Sequence, residues 1–288
     1  MLQKSLPNKK QKSSRSLQAK ARVDKMSSWR LLKLETHNAF MNMAIDEAIL
    51  QARIESLVSN TLRFYCWNPS AVSIGKFQKI ENEVQIDNCQ KHGADVVRRI
   101  TGGGTVYHDK EDEITYSVTV HKKDLEAKDI TTVYAKIYTG LANALQILGI
   151  KADFNRGNEK TCPNLTVHGK KISGSAQSHK KNVVLQHGTL LLNVDLQKMF
   201  TYLRVPWAKT CIEVAKVAEN KITSMKNELG RKVTIQEVHE ALVGGFSSAL
   251  HIRLVNSELT PYELALAQKL CKEKYSTNEW NLHGKTIQ

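Results

Sequence analysis

The 288-residue sequence has no apolar run near the ~20 residues that a membrane-spanning helix needs, so a membrane is not an expected partner. It also lacks paired cysteines. The five cysteines are an odd number, widely scattered and without a CxxC pair, which argues against a disulfide framework or a zinc site and makes the reduced cytoplasm the simplest location. No helix-turn-helix, zinc finger or RNA-binding aromatic pair is found, so nucleic acid is not an expected partner either.

Positive charge is concentrated at the amino end. The net charge is +14, and the first 27 residues hold eight Lys or Arg against one acid, Asp24, so they supply +7 and leave +7 for the remainder. Few large apolar residues occur there, which predicts a disordered basic tail over residues 1–27. The alternative is a transit peptide, which would make the location organellar, although the excess of Lys over Arg weakens it. Residues 28–288 are long enough for one domain with a real core.

Three consecutive glycines stand out in Arg98–Asp109 (RRITGGGTVYHD), between an arginine pair and a His-Asp pair. Because glycine tolerates positive φ and lets a ligand approach backbone N–H groups, the stretch predicts an anion-binding loop. The flanking residues are typical of strands, whereas a dinucleotide fingerprint or a P-loop would open a helix directly after its glycines. The alternative, a glycine-rich hairpin turn, would not need so many charged neighbours.

Periodicity and turn residues outline the other elements. Asn38 can cap a helix, strands follow at 62–67 and 71–75, and a second helix runs from Thr131 and Thr132 to Gly149. Three strand candidates between 165 and 192 form a meander. Thr234 and Thr260 each open a capping box, which predicts two helices over about 233–280 that belong to the same domain.

The glycine stretch resembles the RRxxGGGxVxHD signature of the lipoate-protein ligase family, whose relatives include octanoyltransferases and biotin-protein ligases. Two later segments also resemble family motifs, GKKISGSAQ (169–177) and QHGT (186–189). The resemblance runs from about Trp29 to the C-terminus. It implies an α+β fold with a mixed, largely antiparallel sheet and helices packed outside, similar to the catalytic domain of class II synthetases and biotin-protein ligases.

Lys171 is the candidate catalytic residue. In the resembling family the second lysine of this motif contacts the acyl carbonyl and the phosphate of an acyl-adenylate, and a fixed ammonium stabilises charge that grows on oxygen during acyl transfer. Adjacent strand residues point to opposite faces, so at most one of Lys170 and Lys171 faces the site. We expect Lys171 to do so, on the same face as Ser173 and Ser175; the alternative is a solvated lysine pair at a hairpin.

The same resemblance implies a binding pocket built from the three motifs. His187 precedes a glycine in an otherwise apolar strand, which favours close approach of a ligand. The pair His108 and Asp109 either binds phosphate through Mg²⁺, with Asp109 the possible metal ligand, or caps the turn that follows. The candidate binding residues are Arg98, Arg99, Gly102, Gly103, Gly104, Val106, His108, Asp109, Ser173, Gly174, Ser175, Gln186, His187, Gly188 and Thr189.

Cys162 carries the choice between two enzyme types. Family ligases commonly have an Asn-Asp pair before the GKK motif, whereas Pro163 and Asn164 stand here. Cysteine-dependent octanoyltransferases of the same fold have their nucleophile in this neighbourhood, and Lys160 would favour a thiolate. The spacing from Cys162 to GKK is shorter than in those transferases, so an incidental thiol stays an alternative.

Two functions follow from the resemblance, and a non-catalytic ligand-binding module is a third. The first is an ATP- and Mg²⁺-dependent ligase that attaches lipoate, through a lipoyl-adenylate, to a lysine of lipoyl domains in 2-oxoacid dehydrogenase or glycine cleavage proteins. The second is an octanoyltransferase that uses octanoyl-acyl carrier protein and Cys162. Because the resemblance to the ligases spans more of the chain than the resemblance to the octanoyltransferases does, the sequence favours the ligase. Trp280 lies in a segment similar to the last helix of archaeal-type ligases whose accessory domain is a separate chain, so such a chain is a further possible partner.

Overall fold

The computed structural model describes residues 26–158, 161–208 and 210–285, which hold twelve strands and ten α-helices. The strands are β1 (Ser27–Leu32), β2 (Glu35–His37), β3 (Thr61–Trp67), β4 (Ala71–Ile74), β5 (Asp95–Arg98), β6 (Val106–His108), β7 (Glu113–His121), β8 (Asp153–Asn155), β9 (Asn164–Val167), β10 (Lys170–Lys180), β11 (Val183–Leu191) and β12 (Ile252–Ser257). The helices are α1 (Ala39–Ile54), α2 (Ile80–Glu83), α3 (Ile86–Lys91), α4 (Ile130–Ile147), α5 (Leu196–Tyr202), α6 (Cys211–Ala218), α7 (Met225–Leu229), α8 (Ile235–Leu250), α9 (Pro261–Leu270) and α10 (Asn278–Asn281).

The larger sheet has the order β12-β1-β3-β7-β11-β10-β9-β8, with β2 paired to β3. β1 runs parallel to its neighbours β12 and β3. The remaining neighbours in this order, from β3 through β7, β11, β10 and β9 to β8, pair antiparallel. Alternate residues of its strands point to opposite faces, so two cores form. One core joins the sheet to α4 and α8, and the other joins its opposite face to α1 and the C-terminal helices.

The smaller sheet carries the glycine stretch. Its order is β5-β4-β6, with β5 parallel and β6 antiparallel to β4. The glycines between β5 and β6 therefore cross the carboxyl end of β4, and the hairpin alternative is wrong because β4 separates the two strands. Gly75 follows β4, and a Cβ there would collide with the Gly103 carbonyl oxygen, so glycine is required where the two segments touch.

The structure confirms the α+β class and most predicted elements, with several differences. Asn38 caps α1 as predicted, its Oδ1 accepting from Met41 N at 2.9 Å. The α4 helix begins at Ile130 with Asp129 as its cap, because the Asp129 carboxylate accepts from Thr132 N. Strand β12 lies where the sequence predicted only helices, and its parallel pairing with β1 stabilises it.

The predicted tail lies outside the described residues except for Met26 and Ser27, and Ser27 already begins β1.

Thr260 heads a complete capping box. At Thr234 only half of the box is made, because the Glu237 carboxylate pairs with Arg231 at 2.6 Å instead of with the Thr234 backbone. None of the helices in the described part of the chain is both long and apolar enough to cross a bilayer.

Candidate functional site

A cavity of about 300 Å³ lies between the two sheets. The sequence did not reveal the apolar walls that come from α5, from the residue after it and from the segment after α6: Met199, Phe200, Leu203 and Ile222. The cavity gathers most of the candidate residues, namely Arg99, Gly103, Gly104, Val106, His108, Cys162, Lys171, Ser173, Gly174, Ser175, His187, Gly188 and Thr189. The three motifs and Cys162, spread over 91 positions of the sequence, thus meet at one site.

Four candidate binding residues do not line this cavity: Arg98, Gly102, Asp109 and Gln186. The Arg98 guanidinium is buried and donates to backbone carbonyls, including Gln78 O at 2.7 Å and Trp280 O at 3.0 Å, so it joins the C-terminal segment to the segment after β4. Gln186 alternates with His187 on β11 and points to the opposite face, where its amide donates to Tyr116 Oη at 3.0 Å. The assignment of Arg98 and Gln186 to the pocket is therefore wrong.

Arg99 organises the glycine segment from within the protein. Its buried guanidinium donates to the carbonyl oxygens of Ser73 at 2.8 Å, Gly102 at 3.0 Å and Gly104 at 2.9 Å. Burial lowers the pKa of Arg99 to about 10, which still leaves it charged near neutral pH. Of the three glycines only Gly103 has a positive φ, +87°. Arg99 thus fixes the path of the predicted anion-binding loop through its carbonyl oxygens.

Lys171 enters the cavity because of an irregularity in β10. Lys171 pairs with Thr166 and Ser173 with Leu165, so a β-bulge between Lys171 and Ser173 reverses the alternation. The side chain accordingly lies over Gly174, where an added Cβ would be 2.6 Å from Lys171 Nζ. Our expectation that Lys171 shares a face with Ser173 and Ser175 is wrong for this reason. Lys170 points elsewhere and donates to Glu219 O at 2.8 Å.

Protein atoms pack closely around the Lys171 ammonium, but the side of the residue toward the cavity is exposed to solvent. Desolvation by the surrounding protein lowers the pKa of Lys171, and the nearby positive charge of Arg99 lowers it further. A negative charge on Cys162 would raise it, and Cys162 lines the same cavity as both cations. The backbone of Lys171 is fixed by hydrogen bonds from its N to Lys221 O at 2.8 Å and from Thr223 N to its O at 2.9 Å.

Cys162 is exposed and lies on the cavity wall at the start of β9. A tight turn presents it: Gly157 has φ +70°, and a Cβ there would collide with the Thr161 carbonyl. Asn164 Nδ2 donates to Cys162 O at 3.1 Å, which holds the cysteine backbone from the other side. Lys160, the expected charged neighbour, lies outside the described residues, and Lys171 and Arg99 are the cations that interact with Cys162 instead.

The two cavity histidines use both ring nitrogens within the protein. His108 Nδ1 bonds to Glu113 Oε1 and Nε2 to Ser73 Oγ, each at 2.7 Å, while the ring stacks on Trp67. His187 Nδ1 bonds to Asp46 Oδ2 at 2.9 Å and Nε2 to Thr101 Oγ1 at 2.8 Å. Each ring is therefore held in one orientation.

Asp109 fits the turn-capping alternative rather than the magnesium one. Its Oδ1 accepts from Glu111 N at 2.9 Å and its Oδ2 pairs with Lys198 Nζ at 2.7 Å. The Lys198 ammonium and the other hydrogen bonds outweigh burial and lower the pKa of this carboxyl group. Within the described ranges no three His, Cys, Asp or Glu side chains converge as metal ligands would. The suggestion of Asp109 as a metal ligand thus finds no support in its contacts.

Asp46 and Thr101 were missed by the sequence reasoning, although both contact His187. Asp46 is 1% exposed and lies in the apolar stretch of α1, so a charged residue inside a buried helix segment was the available signal. Burial alone would raise the pKa of Asp46, but hydrogen bonds and charges from His187 and Arg63 lower it overall. Arg63 Nη1 donates to Asp46 Oδ1 at 2.9 Å.

Buried histidines predict a loss of stability in acid. Burial lowers the pKa values of His179, His187 and His239, so the folded chain keeps them neutral. Below the unfolded pKa of ~6.5 the unfolded chain binds protons that the folded chain does not, so stability present above that pH is lost as pH falls. Urea unfolding at about pH 7.5 and about pH 5.5 should give a smaller free energy at the lower pH. An unchanged or larger value at the lower pH contradicts this expectation.

Comparisons with known proteins place the chain in a family. A family model described as the lipoyl protein ligase A/B catalytic domain matches residues 38–247. Octanoyltransferase LipM of Brevibacillus brevis is 38% identical over 89% of this chain and 99% of its own length, and LipM of Clostridioides difficile is 37% identical over 89% and 99%.

Solved structures of the same fold include two lipoate-protein ligases. A bipartite lipoate protein ligase of Thermoplasma acidophilum, described together with its E2 lipoyl domain, superposes with a TM-score of 0.79, 34% identity and coverage of 91% of this chain and 99% of that one. A lipoate-protein ligase A bound with ATP gives a TM-score of 0.77 with 33% identity, over 90% and 100% of the two chains. The structural matches are thus ligases, whereas the named sequence relatives are transferases.

Proposed function

The chain belongs to the lipoyl protein ligase A/B catalytic-domain family, and we propose that within it the chain is an octanoyltransferase. It takes the octanoyl group from an acyl carrier protein thioester and transfers it, through Cys162, to a lysine of a lipoyl domain. The sequence alone favoured the ATP-dependent ligase. The identity of 38% to an octanoyltransferase over 89% of the chain supports the transferase instead.

One observation carries this proposal: Cys162, Lys171 and Arg99 line the same cavity, so the sulfur, the ammonium and the guanidinium share one site. A nucleophilic cysteine acts as its thiolate, and positive neighbours stabilise that form. An incidental surface thiol needs neither the enclosing turn at Gly157 nor two cations.

The reaction proceeds in two acyl transfers. The Cys162 thiolate attacks the carbonyl carbon of the donor thioester, and the carrier thiolate leaves and takes up a proton, which leaves the octanoyl group on Cys162 as a thioester. The acceptor lysine, once it is a neutral amine, attacks the same carbon; its nitrogen releases a proton to solvent as the amide forms, and the C–S bond breaks to release the Cys162 thiolate. In both steps charge develops on the carbonyl oxygen, and the Lys171 ammonium above Gly174 stabilises it.

An adenylate-forming ligase is the second candidate, favoured by the likeness to a lipoate-protein ligase A bound with ATP. The residues present fit ATP and Mg²⁺ poorly. Asp109 is paired with Lys198, and Pro163 and Asn164 stand where the resembling ligases carry an acid. We therefore derive no step through a nucleotide.

The decisive experiment presents a lipoyl domain with each donor in turn. The chain is incubated with the lipoyl domain and either octanoyl-acyl carrier protein, without nucleotide, or lipoate with MgATP, and intact mass spectrometry follows the acceptor. We expect octanoylation from the carrier protein without ATP. Modification only with lipoate and MgATP would overturn the proposal in favour of the ligase, and no modification in either mixture would favour a binding module.

Gly174 offers a first test of the Lys171 position. In Gly174→Ala the new methyl group occupies the space of the Lys171 ammonium and should displace it, since the end of a lysine moves more easily than a strand backbone. We expect octanoyl transfer to fall roughly 10–100-fold, as when a stabilising donor is lost. Initial rates measure the effect. Gly102→Ala is the matched control, because a Cβ there meets nothing within 4 Å; equal rates for both variants would contradict the assigned position.

A further inference from the structure

A buried chain of hydrogen bonds connects α1 to the glycine segment. It runs from Asp46 through His187 and Thr101 to Arg99, with distances of 2.9 Å, 2.8 Å and 3.3 Å. These four side chains are at most 5% exposed. We propose that Asp46 is a positioning residue, which through His187 and Thr101 orients Arg99 and thereby sets the shape of the glycine segment beside Cys162.

The proton positions along this relay follow from its first member. Asp46 accepts from Arg63 Nη1 at 2.9 Å and lies 3.0 Å from Tyr65 Oη. Burial raises the pKa of Asp46, but the bonds and charges of His187 and Arg63 lower it overall, so the carboxylate is ionised. An ionised carboxylate only accepts, so His187 must carry its proton on Nδ1. Burial keeps the His187 pKa below its usual value, in spite of Asp46, which agrees with a neutral ring whose Nε2 is an acceptor.

The remaining bonds then have one consistent direction. Thr101 donates its hydroxyl proton to His187 Nε2, which leaves its oxygen lone pairs to accept from Arg99 Nε. Arg99 Nη2 holds the carbonyls of Gly102 and Gly104, and Nη1 donates to Ser73 O and Oγ. The Thr101 carbonyl accepts from Lys76 N at 2.8 Å, so the relay is anchored in the backbone just before the glycines.

An isosteric substitution at Asp46 should reverse the donor and acceptor roles along the relay. In Asp46→Asn the amide oxygen stays with Arg63, because two donors cannot face each other, and the NH₂ group then points to His187. His187 must accept at Nδ1 and donate from Nε2, so Thr101 receives two donors and its own proton loses its acceptor. Arg99 is loosened although no atom of the cavity wall has changed.

The inference rests on the proposed function for its kinetic readout, so the experiment adds a readout that needs no substrate. Nitrogen-15 NMR of histidine-labelled protein reports the His187 tautomer, assigned against His187→Gln, and hydrogen exchange at Arg99 Nε reports whether that bond is held. In Asp46→Asn we expect the tautomer to switch, Arg99 exchange to speed up and kcat for octanoyl transfer to fall about 10–100-fold, as for other partners that orient a functional ring.

Controls separate positioning from general destabilisation. Asp95→Asn removes another carboxylate that contacts α1, since Asp95 Oδ2 accepts from Ala39 N at 3.1 Å, and it should change neither readout. Thr101→Val should imitate the effects of Asp46→Asn on Arg99 exchange and on kcat but keep the wild-type tautomer, which Asp46 still sets, while Thr101→Ser should restore both. The double variant Asp46→Asn/Thr101→Val should lose little more kcat than either single variant, because both substitutions interrupt the same series of hydrogen bonds.

The His187 tautomer, the Arg99 exchange rate and kcat together decide whether the relay positions Arg99. A switched tautomer with kcat within about twofold of the wild type, or losses that multiply in the double variant, would overturn the relay. Where Asp46→Asn does not fold, the Thr101 pair at the other end of the relay decides. A wild-type chain without any transfer activity refutes the proposed function alone, and the tautomer and the Arg99 exchange rate then judge the relay.

Discussion

Replacing Cys162 with serine should lower the rate of octanoyl transfer at least about 1000-fold, because a serine hydroxyl is barely ionised at neutral pH and a covalent mechanism loses its nucleophile. Cys162 lines the cavity together with Lys171 and Arg99, and a serine placed there keeps its hydroxyl proton. Two measurements check this: initial rates with octanoyl-acyl carrier protein, and the mass of the enzyme itself after exposure to the donor without acceptor. An octanoyl adduct should be present on the wild type and absent from the variant.

Cys211→Ser is the matched control for this exchange. Cys211 is also partly exposed, but it begins α6 and does not line the cavity, so its loss should leave both the rate and the adduct unchanged. Full transfer activity in Cys162→Ser, with no adduct on the wild type, would contradict the thioester mechanism. Because the exchange removes no buried group, the thermal midpoint should shift little in either variant, and a loss of activity cannot be attributed to unfolding.

Much of the fold was predictable because local signals and tertiary structure agree. Asn38 caps α1, the strands β3 and β11 carry the expected β-rich segments, and positive φ angles at His168 and Gly169 confirm the turn between β9 and β10. The glycine stretch was found from composition alone. Its path over β4 was not predicted, because that crossing depends on the strand order of the smaller sheet, which the local sequence does not show.

The candidate site was less predictable, for three separate reasons. The bulge between Lys171 and Ser173 reverses the side-chain alternation on which the prediction relied. Residues 221–223, which pair with the Lys171 backbone, come from a region without clear periodicity. Asp46 stands 141 positions before His187, and a single sequence offers no measure of which distant polar residues meet.

The adjacent lysines provide the second large prediction. Lys171→Ala should reduce octanoyl transfer roughly 100–1000-fold, the usual effect of losing a group that stabilises charge on oxygen, whereas Lys170→Ala should stay within about threefold of the wild type. The two side chains differ by one position and by one contact: Lys171 lies over Gly174 in the cavity, and Lys170 binds Glu219 O on the surface. Initial rates for both variants, measured under the same conditions, give the comparison directly.

Stability decides how a loss of activity in Lys171→Ala should be interpreted. Desolvation lowers the pKa of Lys171 in the folded chain, so at neutral pH the folded state holds this charge less favourably than the unfolded state does. Removing the ammonium should therefore leave the thermal midpoint unchanged or raise it, while Lys170→Ala loses a surface hydrogen bond and should lower it slightly. If Lys171 had only a structural role, Lys171→Ala would lower the thermal midpoint more than Lys170→Ala does. A fall in midpoint for Lys171→Ala, or a transfer rate within about threefold of the wild type, would remove Lys171 from the mechanism.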